Sequence, residues 1–146
     1  MELLEEAGVA AAMVDAELAY VHPKPAGDAH GYAVAEAGLR ALWTVYQEQG
    51  IARLLLGRVA ENAEQLSLVE RAVPNADIQV FRLVAAPETI RRRIEKREIG
   101  SGLDRHVQRG EEIARSTLGE PIDAERPVVL IGRELLELAG WLPARA

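Results

Sequence analysis

The 146-residue chain contains no cysteine. It therefore forms no disulfide, no thiolate zinc site and no cysteine nucleophile. No apolar run reaches the ~18 residues that a membrane-spanning helix needs. The first six residues, MELLEE, lack the basic start and the small-residue cleavage site of a signal peptide. These absences predict a cytoplasmic protein without a membrane partner.

What the chain does contain is a regular alternation of apolar runs and helical patterns. Its length fits one domain, and 49% of its residues are hydrophobic. Short apolar runs predict strands at Val9–Val14, Ile51–Gly57, Ile78–Val84 and Val128–Ile131. Periodic patterns predict helices at Glu2–Ala7, Tyr32–Gln49 and Asn62–Ala72, from Pro87 onward, and at Glu134–Ala139. The alternation predicts an α/β domain with a parallel sheet whose first strand is covered on both faces.

Arginine is concentrated in one part of this acidic chain. Seven of its fifteen Arg fall between residues 91 and 115, although the formal net charge is -6. Arg93 and Arg97 share a helical face, and Arg105 and Arg109 follow on a second helical segment. Guanidinium groups match phosphate geometry, so the cluster predicts a site for a small anion rather than for a nucleic-acid polymer. The interleaved glutamates allow a second interpretation, in which these Arg pair on a solvated helix.

Two carboxylates, Asp15 and Glu17, follow the first predicted strand. The carboxyl ends of parallel strands are where ligands bind in open α/β sheets. Asp15 and Glu17 are therefore candidates to accept a proton from a substrate hydroxyl or to hold Mg²⁺ through water. The alternative is that polar residues simply end this strand. His22, His30 and Asp28, taken with Asp15, match no recognised ligand spacing, so we predict no dedicated transition-metal site.

A carboxylate at one strand end and guanidiniums near another suit phosphoryl transfer. The order of elements, with VPNADIQVFRLVAAPETIRRRIEKRE and the terminal LAGWL, resembles small P-loop kinases of the nucleoside- and shikimate-kinase-like group, often described as AAA-family ATPases. The resemblance covers nearly the whole chain. It implies one P-loop NTPase-type domain over residues 1–146, with a three-layer parallel sheet and a lid-like segment at about residues 98–115.

The resemblance also implies a function. It implies that ATP and Mg²⁺ are the cofactors and that the partner is a small-molecule phosphoryl acceptor or a nucleotide. Asp15 would face the acceptor, Arg93 and Arg97 would lie near the nucleotide at the base of the lid, and Arg105 and Arg109 would move with the lid.

One part of the family pattern is absent from the sequence. Such kinases begin with a central strand and a G-x-x-x-x-G-K-[ST] loop that holds the phosphates, and no such motif occurs here. We therefore expect no activity from the chain as it stands, either because Met1 is a late start or because the chain is a non-catalytic remnant. Without the central strand two inner edges are unpaired, which predicts internal rearrangement, poor folding or a homodimer.

Overall fold

The computed structural model describes residues 2–15, 23–57, 62–96 and 103–144, without the side chains of residues 103, 105 and 106. Within these ranges the chain is mixed α/β, with six helices and two parallel two-stranded sheets. The α/β class and the parallel pairing predicted from the sequence are confirmed. The chain divides into two compact units, Met1–Ile78 and Gln79–Ala146. None of the helices in the described ranges has the length and apolar character needed to cross a membrane.

The first unit contains three helices and one parallel strand pair. The elements are α1 (Glu2–Glu6), β1 (Ala12–Asp15), α2 (Tyr32–Glu48), β2 (Leu54–Gly57) and α3 (Ala63–Ala72). In the pair, Ala12 aligns with Leu54 and Asp15 with Gly57. Gly8 and Gly50 have φ values of 66° and 76°, so they end α1 and α2 in the left-handed conformation that glycine tolerates. Both helix ends were predicted from the sequence.

The core of this unit lies on one face of its sheet. Leu39 and Trp43 of α2 are buried together with Ala72 and Val73, and Leu54 and Leu56 of β2 pack against them. On the opposite face Met13 is 57% exposed, and its neighbour in register, Leu55, is 38% exposed. The prediction of a strand covered on both faces is therefore wrong for the described residues, because they cover the sheet on one side only.

The second unit also contains three helices and one parallel strand pair. The elements are β3 (Phe81–Val84), α4 (Pro87–Glu95), α5 (Leu103–Arg115), β4 (Glu120–Asp123) and α6 (Val128–Leu138). Phe81 aligns with Glu120, and Val84 with Asp123. Pro87 occupies the first turn of α4, as predicted, because proline has no N–H to leave unpaired there. Helix α5 confirms the second helical segment predicted after the first Arg pair.

The predicted strand at Val128–Ile131 is wrong. These residues form the first turn of α6, where Ile131 is buried and Val128 is 83% exposed. A four-residue apolar run does not distinguish strand from helix, and Pro127 precedes it with a backbone suited to a helix start. The actual fourth strand, EPID, was missed because Pro121 disfavours strands. It is tolerated here because β4 is paired with β3 alone in the described ranges.

Two contacts fix the helices of the second unit. Ile122 and Ala124 are buried against Ile131 of α6 on one side of the sheet. Helices α4 and α5 cross closely at Gly110, where an added Cβ atom would lie 2.8 Å from Cγ2 of Ile90. The Ile90 side chain of α4 therefore packs against α5 at this point. Not every apolar side chain of this sheet is covered, since Leu83 of β3 is 53% exposed.

Candidate functional site

The candidate site of the second unit lies at the carboxyl ends of β3 and β4. Val84 and Asp123 are the aligned last residues of the two strands. The chain after β3 enters α4 through Ala85 and Ala86, and the chain after β4 continues through Ala124 and Glu125. Both connections are short, so the start of α4 and the end of β4 are held within hydrogen-bonding distance of each other.

Glu125 caps α4 from a distant part of the sequence. The N-cap residue of α4 is Ala86, which has no side chain able to accept a hydrogen bond. The Glu125 carboxylate accepts the Ala86 N–H at 2.7 Å and the hydroxyl of the buried Thr89 at 3.0 Å. These two bonds hold the first turn of α4 to the residue that lies just beyond β4.

The same contacts explain the electrostatics of Glu125. The Ala86 N–H lowers the pKa of the carboxyl group most, and the Thr89 hydroxyl and the charge of Arg93 lower it further. Partial desolvation and the charge of Asp123 oppose the shift. The net direction is a lowered pKa, so Glu125 carries its negative charge throughout the neutral range.

Arg93 provides a third link between α4 and the end of β4. Its Nη2 donates to the carbonyl oxygen of Ala124 at 2.7 Å, while much of the side chain is exposed. Ala86, Thr89 and Arg93 are spaced i, i+3 and i+7, so they lie along one helical face. That whole face is bound by two consecutive residues, Ala124 and Glu125.

An open cleft of about 500 Å³ lies at this end of the sheet. Its apolar lining comes from Val84, Ala85, Ala86, Pro121 and Ile122, and its polar lining from Arg82, Asp123 and Glu125. Arg82 is held in place because its Nη1 donates to the carbonyl oxygen of Ala114, near the end of α5, at 2.8 Å. The cleft combines an apolar wall with a guanidinium and two carboxylates.

The residues predicted from the sequence fall in different parts of the molecule. Asp15 is the exposed last residue of β1 in the first unit, at the carboxyl end of its strand as predicted. Arg93 and Arg109 lie on α4 and α5 of the second unit, and both are exposed. Glu17, Arg97 and the side chain of Arg105 lie outside the described residues. Among these predicted residues, Arg93 contacts the end of β4, through the carbonyl oxygen of Ala124.

The described residues contain no ready-made metal site. No group of three His, Asp or Glu in these ranges is arranged to hold a metal ion. In the segment before α2, Asp28 accepts the N–H groups of Tyr32 and Ala33, and His30 stacks on Tyr32. His22 lies outside the described residues. A phosphate-holding glycine loop is absent from the sequence itself.

Sequence reasoning missed Glu125 and Thr89. The detectable signal was indirect: α4 begins at Pro87 after two alanines that offer no capping side chain, so its first N–H groups are left for water or for a partner from elsewhere. The sequence does not reveal which of the many acidic residues is that partner. Glu125 becomes the partner because β4 lies beside β3, which brings the residue after β4 to the start of α4.

No family model matches the chain, and comparisons with curated proteins and with solved structures also found no match at the threshold applied. The function is therefore argued from the chemistry of the described residues and from the resemblance given by the sequence motifs.

Proposed function

We propose that this chain is a P-loop phosphotransferase of the small-molecule or nucleoside kinase type that lacks a Walker A loop. Its 146 residues contain no Walker A loop, so the chain alone transfers no phosphoryl group. The observation that carries the proposal is the pairing of the strands. Strands β1 and β2 form one parallel pair and β3 and β4 form another, each with helices between its strands.

This pairing agrees with a sheet that is missing its central strand. In the fold implied by the resemblance, the first strand lies in the middle of the sheet. Removal of that strand leaves two groups of strands with unpaired inner edges. A Walker A segment would bring both the central strand and the phosphate-binding loop, so one missing segment would account for both gaps.

The chemistry at the strand ends also supports the proposal. Asp15 provides an exposed carboxylate after β1, which suits contact with a phosphoryl acceptor. Arg93 provides an exposed guanidinium whose position is fixed by the Ala124 carbonyl, which suits contact with a phosphate group. Bound ATP and Mg²⁺ would supply the transferred phosphoryl group, and holding them requires the Walker A loop.

The proposal is tested by supplying the absent segment. An apolar strand of about five residues, followed by G-x-x-x-x-G-K-[ST] and the first turns of its helix, is placed before Glu2. We expect the extended protein to bind ATP in calorimetry and to lose that binding when the new Lys is replaced by Ala. Folded, extended protein that binds no ATP, or binds it equally well without the Lys, would contradict the proposal.

A second candidate function is that of a non-catalytic protein that assembles with a second copy. The exposed apolar residues Met13, Leu55 and Leu83 lie on strands of the two sheets, where such surface favours association. Sedimentation over a concentration series should then show a dimer. Met13→Glu should dissociate it, whereas Val45→Glu, at a similarly exposed position of α2, should not. A concentration-independent monomer would remove this candidate.

A further inference from the structure

The end of β4 makes three hydrogen bonds to a single face of α4. Glu125 accepts from Ala86 and Thr89, and Ala124 accepts from Arg93. The bonds to Glu125 hold the first turn of the helix, and the bond to Ala124 lies one turn later. The position of the Arg93 side chain therefore depends on the hydrogen bonds by which Glu125 holds the start of α4.

Glu125 also acts on Arg93 through its charge. The two groups are close enough for the positive charge of Arg93 to lower the pKa of the Glu125 carboxyl group. Because the carboxylate lies near Arg93, it also lies near any anion that Arg93 binds. Its negative charge repels that anion and weakens the binding. Glu125 thus has two effects of opposite sign: its hydrogen bonds hold Arg93 in place, and its charge weakens the attraction of Arg93 for an anion.

We infer that Glu125 is the positioning residue for Arg93 and sets how strongly Arg93 binds a phosphate group. The inference rests on the proposed function, in which Arg93 contacts the phosphates of the bound ligand. The carboxylate itself touches no ligand. It acts through the first turn of α4 and through the distance between its charge and the Arg93 guanidinium.

Two substitutions separate the two effects. In Glu125→Gln, the amide oxygen still accepts the Ala86 N–H and the amide nitrogen can donate to the Thr89 hydroxyl, but the negative charge is lost. In Glu125→Ala, both the hydrogen bonds to α4 and the negative charge are lost. Glu120→Gln is the matched control, because it removes the same charge from an exposed position at the amino end of the same strand.

The first measurement is the binding of pyrophosphate to the whole chain by calorimetry at low salt. We expect Glu125→Gln to bind about two- to threefold more tightly than the parent, as expected for loss of one exposed charge interaction. Glu125→Ala should bind more weakly than the parent, and Glu120→Gln should match it. Equal shifts in the same direction for Glu125→Gln and Glu125→Ala would overturn the inference, because charge alone would then explain both.

The second measurement does not depend on ligand binding. Nitrogen-15 relaxation of the Arg93 guanidinium reports how freely that group moves. We expect restricted motion in the parent and in Glu125→Gln, and fast motion in Glu125→Ala. Equal motion in all three would overturn the inference. Restricted motion as expected, together with no pyrophosphate binding by any variant, would support the positioning of Arg93 by Glu125 and would count against the proposed function alone.

Discussion

Each of the two units caps a helix with a carboxylate that is not at the N-cap position. In the first unit Asp28 accepts the N–H groups of Tyr32 and Ala33 at 2.7 and 3.0 Å, from just before the helix. In the second unit Glu125 accepts the N–H of Ala86, 39 residues away in sequence. The first cap is formed by local structure, whereas the second depends on the pairing of β3 with β4.

The arginines of the two units differ in the elements that they join. In the first unit Glu36 pairs with Arg40 within α2 and with Arg71 of α3, and because both arginines are exposed such pairs contribute about 0–1 kcal/mol. In the second unit Arg82 and Arg93 donate to backbone carbonyls and join helices to β3 and to the end of β4. Arg40 of the first unit also donates to a backbone carbonyl, that of Arg71 at 2.9 Å, so both units have long-range arginine links. The links of Arg82 and Arg93 differ in that they join a helix to a strand pair.

The largest expected effect is at Gly119, where β4 begins. Its φ is +81°, and an added Cβ atom would lie 2.8 Å from the backbone oxygen of Val80. Gly119→Ala should destabilise the second unit by about 3 kcal/mol, from the left-handed backbone and the collision together. The control is Gly50→Ala in the first unit, where φ is +76° and nothing lies within 4 Å. That change should cost only about 1 kcal/mol.

Urea unfolding followed by fluorine NMR separates these effects. Each unit contains one of the two tryptophans, Trp43 and Trp141, so incorporated 5-fluorotryptophan reports on the units individually. An equal loss of stability for Gly119→Ala and Gly50→Ala would show that the approach of Gly119 to Val80 has no special importance.

A smaller effect is expected at the crossing of α4 and α5. Gly110→Val would place its Cβ atom 2.8 Å from Cγ2 of Ile90, and that contact should cost about 1–2 kcal/mol after the gain in helix propensity. Gly38→Ala is the counterpart on α2, where nothing lies within 4 Å. It should stabilise the first unit by up to about 1 kcal/mol. The same unfolding experiment measures both, and stabilisation by Gly110→Val would argue against the close crossing.

The arginines of the two units should differ in anion binding. Arg93→Ala combined with Arg97→Ala should abolish weak pyrophosphate binding in calorimetry at low salt, because the predicted anion-binding pair is removed. Arg40→Ala combined with Arg71→Ala removes the same charge from the first unit and should leave binding nearly unchanged. If the second double variant weakened binding as much as the first, general charge rather than a local site would be responsible.

The smallest expected effect is on acid stability. Hydrogen bonds lower the pKa of Glu125. In Asp28 desolvation raises the pKa, but the backbone N–H groups of residues 31–34 together lower it by more, so the net direction is also downward. Because the folded pKa values are lowered, each group stabilises its unit above the ordinary carboxyl pKa of about 4 and loses that contribution as the pH falls further.

Substitution should flatten this acid dependence in one unit at a time. Glu125→Gln should make the stability of the second unit less dependent on pH between about 5 and 3, and Asp28→Asn should do so for the first unit. The fluorine signals of Trp43 and Trp141, followed during urea unfolding at each pH, provide the measurement. Unaltered slopes in both variants would show that these caps do not contribute to acid stability.

Local signals predicted much of the fold but little of the candidate site. The cap of α3 by Asn62 and the helix ends at Gly8 and Gly50 depend on adjacent residues, so the sequence identified these boundaries. Strand β4 was missed because its own residues, EPID, disfavour a strand and only its pairing with β3 stabilises one. Glu125 was missed for the same reason, since its partners come from across that pairing.

The most direct test of the central claim is amide hydrogen exchange in the chain with and without the added strand and Walker A loop before Glu2. If a central strand is what the two sheets lack, protection should rise together in one strand of the β1–β2 pair and in one strand of the β3–β4 pair. Proline in the middle of the added strand should abolish both gains. A gain in one pair only, or in neither, would contradict the claim that a single central strand completes this fold.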